Sequence, residues 1–122
     1  MDCIFCKIVN GEIPCYKVYE DDKIISFLDI NPNSPGHTLI IPKEHTKDIN
    51  SISVDTLNYI MTKAIEISDI LVDKLNADGF SLVQNNGLCQ EVKHFHLHII
   101  PKYSKKNNMS VEEVYEKITH DE

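Results

Sequence analysis

The chain has no apolar run approaching the length of a membrane span, so no membrane-crossing helix is expected. It also lacks repeats, linkers and low-complexity tracts. Basic residues are scarce: 12 Lys+Arg stand against 19 Asp+Glu, for a formal net charge of −7. That balance argues against broad binding of nucleic acid or of anionic membrane surfaces, and any anion site must be local. The first residues, Met1-Asp2-Cys3-Ile4-Phe5-Cys6, carry neither a basic n-region nor an apolar signal core, and a cytoplasmic location is expected. Cysteine is limited to Cys3, Cys6, Cys15 and Cys89. In a reducing compartment a Cys-x-x-Cys pair reads as half of a metal site or as a redox pair rather than as a structural disulfide. What remains is 122 residues of 42% hydrophobic content, enough for one domain over 1–122 with a sizeable core.

The most informative stretch is His94-Phe95-His96-Leu97-His98-Ile99-Ile100-Pro101. Imidazole and apolar side chains alternate, which is the period of a strand. All three histidines therefore share one face, and Phe95, Leu97 and Ile99 share the other. The apolar face suits a core. The imidazole face must look into a cleft or onto a metal, since buried imidazoles need partners. Neighbouring histidines along that face stand about 7 Å apart, close enough for one phosphate or one metal to touch two of them. Pro101 has no N–H for a ladder and is expected to end the strand.

The rest of the chain supplies a frame. Cys3 to Val9 is short and apolar, and Asn10-Gly11 closes a helical turn. Strands are expected over 16–20 and 24–28, joined at Asp21-Asp22 as a hairpin. Asn31 to Gly36 is a loop, and His37 to Ile41 is a third strand stopped by Pro42. Ser53 caps a long helix whose Leu57, Ile60, Met61, Ala64, Ile67 or Ser68, Leu71 and Leu75 fall on one side. Asn76 to Gly79 stops it, and Phe80 to Gln84 is a fourth strand. Ser110-Val111-Glu112-Glu113 is a capping box for a short helix to about Ile118. The expected class is α+β: an antiparallel sheet of about five strands, one long helix and short terminal helices. Apolar positions on the long helix (Ile60, Ile65, Ile67, Ile70, Leu71, Val72) exceed what one face needs, which predicts a homodimer.

Cys3-x-x-Cys6 has the spacing of half a tetrahedral zinc site, with His45 and one of the three histidines as candidates for the rest. If His94 takes the metal, the site is closed and structural. The competing reading is a redox pair or two free thiols. Cys15 and Cys89 read as ordinary small hydrophobes. A closed zinc site leaves His96 and His98 free of metal. A neutral imidazole there can attack phosphorus if its other nitrogen is held by an acceptor, and a second can donate to phosphoryl oxygens. Backbone N–H groups of 87–92 can meet an anion. His37, at the head of a strand, either faces the same pocket or is an exposed strand-end residue.

The His-x-His-x-His pattern followed by two apolar residues resembles the signature of the histidine-triad (HIT) nucleotide hydrolases and transferases. Cys3-Ile4-Phe5-Cys6-Lys7-Ile8, Ile13-Pro14, Val18-Tyr19-Glu20-Asp21, Phe27-Leu28-Asp29-Ile30, Gly36 to Lys43 with His45, and Gln90-x-Val92-x-His94 resemble further blocks in order, from about Asp2 to Tyr103. The resemblance implies a core over about 2–103 and a tail over 104–122. It is strongest to the small zinc-containing nucleoside phosphoramidases. It implies that His96 is the nucleophile of a nucleotidyl-histidine intermediate, that His98 contacts the α-phosphate, and that His37 lines the pocket. Cys3, Cys6, His45 and His94 would bind a structural zinc, with no catalytic metal required. Asp29 would hold the ribose, Phe5, Ile8, Phe27 and Ile30 the purine, and Asn85, Gln90, Glu91 and Val92 would complete the pocket. Phe27 reads equally as core, and Asp29 equally as a turn former.

Two features depart from the pattern. Glu91 stands where the family usually has Ser or Thr, and the stretch from Gly87 to Gln90 is short, with Leu88-Cys89 where glycines are common. The expectation is a hydrolase acting at the α-phosphate of purine nucleotide conjugates. Alternatives are a dinucleoside polyphosphate hydrolase or nucleotidyl transferase, a nucleotide-binding module with vestigial catalysis, or an open metal site on the triad.

Overall fold

The computed structural model describes residues 3–119; the anticipated boundary at residue 2 and the last three residues of the tail lie outside it. Helix α1 spans Ile4–Val9, strand β1 Lys17–Glu20, β2 Ile24–Leu28, β3 Thr38–Pro42, helix α2 Val54–Leu75, β4 Gly79–Gln84, β5 Leu97–Lys102 and α3 Val111–Thr119, with a 3-10 turn at Gly87–Cys89. One antiparallel sheet runs in the order β1-β2-β3-β5-β4, so the α+β expectation holds.

Both faces of the central strands are covered, so every residue of β2 and β3 is buried rather than alternate ones. On one face Ile24, Leu28, Ile40, Leu97 and Ile99 pack under α2 and α3. On the other, Ile25, Phe27, Leu39 and Ile41 pack with Phe5 of α1. The caps are as expected: Ser53 Oγ accepts from Thr56 N at 3.1 Å, Asn76 closes α2 in the left-handed region, and Ser110 and Glu113 form the reciprocal capping box at 2.9 and 3.1 Å. The hairpin turn is fixed by Asp21, whose Oδ1 accepts from Lys23 N and Ile24 N and whose Oδ2 accepts from Tyr19 and Tyr59.

Three expectations change. Pro101 sits inside β5, opposite Phe80, because β3 pairs with β5 only as far as Ile99 and the missing N–H costs no ladder bond there. Met61 lies at the margin of the buried stripe of α2 and is 38% exposed. Cys89 is exposed rather than a small buried hydrophobe.

Candidate active site and metal centre

Strand β5 holds His98 between β3 and β4. The ladder starts only at Leu97, so His94 and His96 precede the strand; the chain is held there by Phe95 N donating to Thr46 O at 2.6 Å. The alternation survives without the ladder. Phe95, Leu97 and Ile99 enter the core under α2, and the histidines face the α1 side. The rings of His96 and His98 tilt together to a centroid distance of 4.8 Å, shorter than the backbone spacing predicts.

His96 Nδ1 lies 2.8 Å from the carbonyl of His94. A carbonyl only accepts, so Nδ1 carries the proton and Nε2 keeps its lone pair. The ring is buried, with Phe5 edge-on at 5.0 Å. His37 and His98 form a relay of fixed tautomers. Asn33 N–H donates to His37 Nδ1 at 3.1 Å, so the proton of His37 resides on Nε2, which faces His98 Nδ1 at 2.9 Å. His98 must then carry its own proton on Nε2 and present it as a donor. Burial lowers the pKa of both: His37 falls below the usual histidine range, and His98 is pushed down to about 4, helped by neighbouring His96 and His37. Asp29 Oδ2 stands 3.7 Å from His37 Nε2. Asp29, His37 and His98 lie close enough to hold an ion, but a protonated Nε2 has no lone pair to offer, and the hydrogen-bonded relay accounts for the cluster.

On the other side of His94, Cys3, Cys6, His45 and His94 form a cluster that could hold a metal ion. The His94 Nε2–H donates to Pro42 O at 2.8 Å, leaving the Nδ1 lone pair 3.4 Å from Cys3 Sγ and 3.6 Å from Cys6 Sγ. His45 Nδ1 is 3.2 Å from Cys6 Sγ. A tetrahedral zinc with bonds of about 2.3 Å to sulfur and 2.05 Å to nitrogen has a sulfur–nitrogen edge of about 3.5 Å, so these spacings fit one ion. The bond to the Pro42 carbonyl would orient the imidazole toward such an ion. Burial also lowers the pKa of His94, favouring the neutral form that ligates. Cys3 caps α1, with its Sγ accepting from Cys6 N at 3.4 Å, so the helix start itself brings the two thiols together.

Between α1 and the histidines lies a cavity of about 250 Å³. Of the residues expected there, Phe5, Ile8, Phe27, Asp29, Ile30, Glu91, Val92, His96 and His98 line it. His37 is reached through His98. Asn85 and Gln90 do not line it. The Asn85 carbonyl accepts from Gln84 Nε2, and Gln90 turns inward to donate to Lys47 O at 2.5 Å. The N–H of Gln90, one of the expected anion donors, is used by Gly87 O at 3.0 Å. Ile4, Ile13, Pro14, Cys15, Leu28, Asn31 and Leu39 complete the wall. Ile4, Ile13, Pro14, Leu28 and Leu39 fall within the blocks that resemble the family, whereas no signal in the sequence marks Cys15 or Asn31 as wall residues.

The HIT domain family model matches residues 10–105. A Candida albicans protein named adenosine 5'-monophosphoramidase HNT1 is 41% identical over 115 residues, 89% of this chain and 76% of that protein. An Arabidopsis thaliana protein named adenylylsulfatase HINT3 is 44% identical over 103 residues, 83% of this chain and about half (52%) of that one. The crystal structure of a zinc-bound histidine triad family protein from Mycobacterium smegmatis superposes with a TM-score of 0.89 at 33% identity, covering 97% of this chain and 91% of that one. With the histidine arrangement and the matched length taken together, this chain belongs to the HIT family.

Proposed function

We propose that this protein hydrolyses purine nucleotide conjugates at the α-phosphate, with nucleoside phosphoramidates as the main class, through a nucleotidyl-His96 intermediate. The observation that carries this is the bond from His96 Nδ1–H to the His94 carbonyl, which aims a lone pair on Nε2 at a cavity walled by apolar side chains. His96 attacks phosphorus, the leaving group departs, and water then cleaves the phosphorus–nitrogen bond to His96. His98 donates its Nε2–H to a phosphoryl oxygen as charge builds, and His37 holds that tautomer. Phe5, Ile8, Phe27, Ile30 and Val92 hold the base, and Asp29 holds the ribose hydroxyls. Gln90 acts at a distance, fixing the loop through Lys47, and Asn85 stands in the same loop. None of these steps needs a catalytic metal.

Cys3, Cys6, His45 and His94 hold a structural zinc in this reading; the ion supplies a cross-link between α1 and the histidine segment. The described residues form one domain, and a homodimer is supported by Met61, Ile65 and Ile70 on α2 and by Phe80 and Leu82 on the edge strand β4, all more than a third exposed. Nucleic acid and anionic membrane surfaces are not partners in this account, because the net charge is −7. Four unpaired cysteines suit a reducing cytoplasm.

The test is His96→Ala. Turnover of an adenosine phosphoramidate should fall by at least about 10³-fold while adenosine monophosphate still binds, since the base and ribose contacts remain. Near-normal turnover by the variant would refute the covalent route.

A further inference from the structure

The ionisable side chains lining the cavity are unusual for a site that handles a phosphate. Asp29 and Glu91 bring two carboxylates, His96 and His98 bring imidazoles, Cys15 brings a thiol, and no lysine lines it. His98 is uncharged near neutral pH, because burial holds its pKa at about 4. The cation nearest in sequence, Lys93, is tied to the loop, with its Nζ donating to Gly87 O at 2.6 Å and to Gln90 O at 3.1 Å. Asp29 is engaged as well: its Oδ1 accepts from Asn31 N at 2.8 Å and its Oδ2 faces His37. Glu91 is the one carboxylate of the cavity with neither a hydrogen bond nor an ion pair among the described residues. It is exposed, next to Val92 of the base wall and five residues before the nucleophile.

We infer that Glu91 determines leaving-group specificity, favouring amines that carry positive charge and rejecting anionic leaving groups such as sulfate or a polyphosphate. The inference rests on the hydrolase reading above. The reaction itself places the charge. As the His96 Nε2–phosphorus bond forms, the phosphorus–nitrogen bond breaks and its electron pair stays on the amine nitrogen. That nitrogen begins with one proton and ends with three as an ammonium, drawing the added protons from water. Overall, a phosphoramidate monoanion and one water give an ammonium and a nucleoside monophosphate dianion. A carboxylate lining the cavity in which that ammonium forms attracts it, and attracts any further cation on the same amine. It repels a departing sulfate or polyphosphate, and no cationic side chain lines the cavity to offset the repulsion.

The experiment compares kcat/KM for three adenosine phosphoramidates, whose alkylamine leaving groups end in an ammonium, a methyl or a carboxylate, together with adenylyl sulfate. The unaltered protein should rank them cationic, neutral, anionic. Since Glu91 is solvent-exposed, each charge step should be worth about 2- to 5-fold, so the cationic-to-anionic ratio should drop by about 10-fold in Glu91→Gln and reverse in Glu91→Lys. Retained binding of adenosine monophosphate shows that the variants keep their fold. A flat ranking in the unaltered protein, or a ratio unchanged by Glu91→Gln, overturns this role for Glu91 and leaves the hydrolase reading standing. Failure of the unaltered protein to cleave any of the phosphoramidates overturns the hydrolase reading and this inference with it.

Discussion

Acid should destabilise this fold through His98, and the size of the effect follows from its burial. An unfolded histidine titrates near 6.5, whereas folded His98 titrates at about 4. As pH falls below 6.5 the unfolded chain takes up a proton that the folded chain refuses, so the stability present above pH 6.5 is lost progressively down to about pH 4. The full shift is worth about 3 kcal/mol at about 1.4 kcal/mol per pH unit, and partial contact with solvent lowers the expected loss to about 2 kcal/mol by pH 4.5. His37, also lowered by burial, adds to the loss in the same direction. The assay is urea unfolding at pH 7.5 and pH 4.5, comparing the unaltered protein with His98→Asn. An asparagine Oδ1 takes the place of Nδ1 and still accepts from His37, without a titration of its own. Loss of a zinc bound at the Cys3–His94 cluster would affect both proteins in acid and cancel in the difference. The unaltered protein should lose about 2 kcal/mol more than the variant. Equal losses would show that His98 is not held neutral by its surroundings.

Two further outcomes follow from local geometry. Gly36 has φ +92°, and a Cβ there would lie 2.5 Å from Leu75 Cδ1 and 3.0 Å from Pro101 Cγ. Gly36→Ala should therefore cost about 2–4 kcal/mol in urea unfolding, and a change below about 0.5 kcal/mol would contradict the crowding. If zinc cross-links α1 to His94, a chelator should strip hydrogen-exchange protection from residues 4–11 before it affects α2; simultaneous loss in both would mean that the ion does not act locally.

Much of this was legible from the residues, and the misses have physical causes. Alternation of imidazole and apolar side chains predicts the facing of His94, His96 and His98, because the side-chain period depends on an extended backbone rather than on a ladder. It does not reveal where the ladder begins, which is set by Thr46 capturing Phe95 N across a long sequence separation. Pro101 looked like a stop because only the local rule was visible. That β3 pairing ends at Ile99 is a tertiary fact. Ser53, Asn76 and the Ser110–Glu113 box report helix ends directly, since caps are short-range chemistry. The family resemblance places Gln90 in the pocket, yet the Lys47 carbonyl draws it inward. Cys15 was read as filler but lines the cavity, where burial raises its thiol pKa; no spacing signal marks such a contact.

The central claim is that His96 Nε2 becomes covalently nucleotidylated. The most direct measurement is intact-protein mass spectrometry after a millisecond quench under denaturing alkaline conditions, with an adenosine phosphoramidate as substrate, followed by peptide mapping. The account predicts a mass increase of one adenylyl group that maps to His96, decays on further incubation and is absent in His96→Ala. Full turnover with no adenylyl group on the protein at any time, or with the group on a residue other than His96, would contradict it.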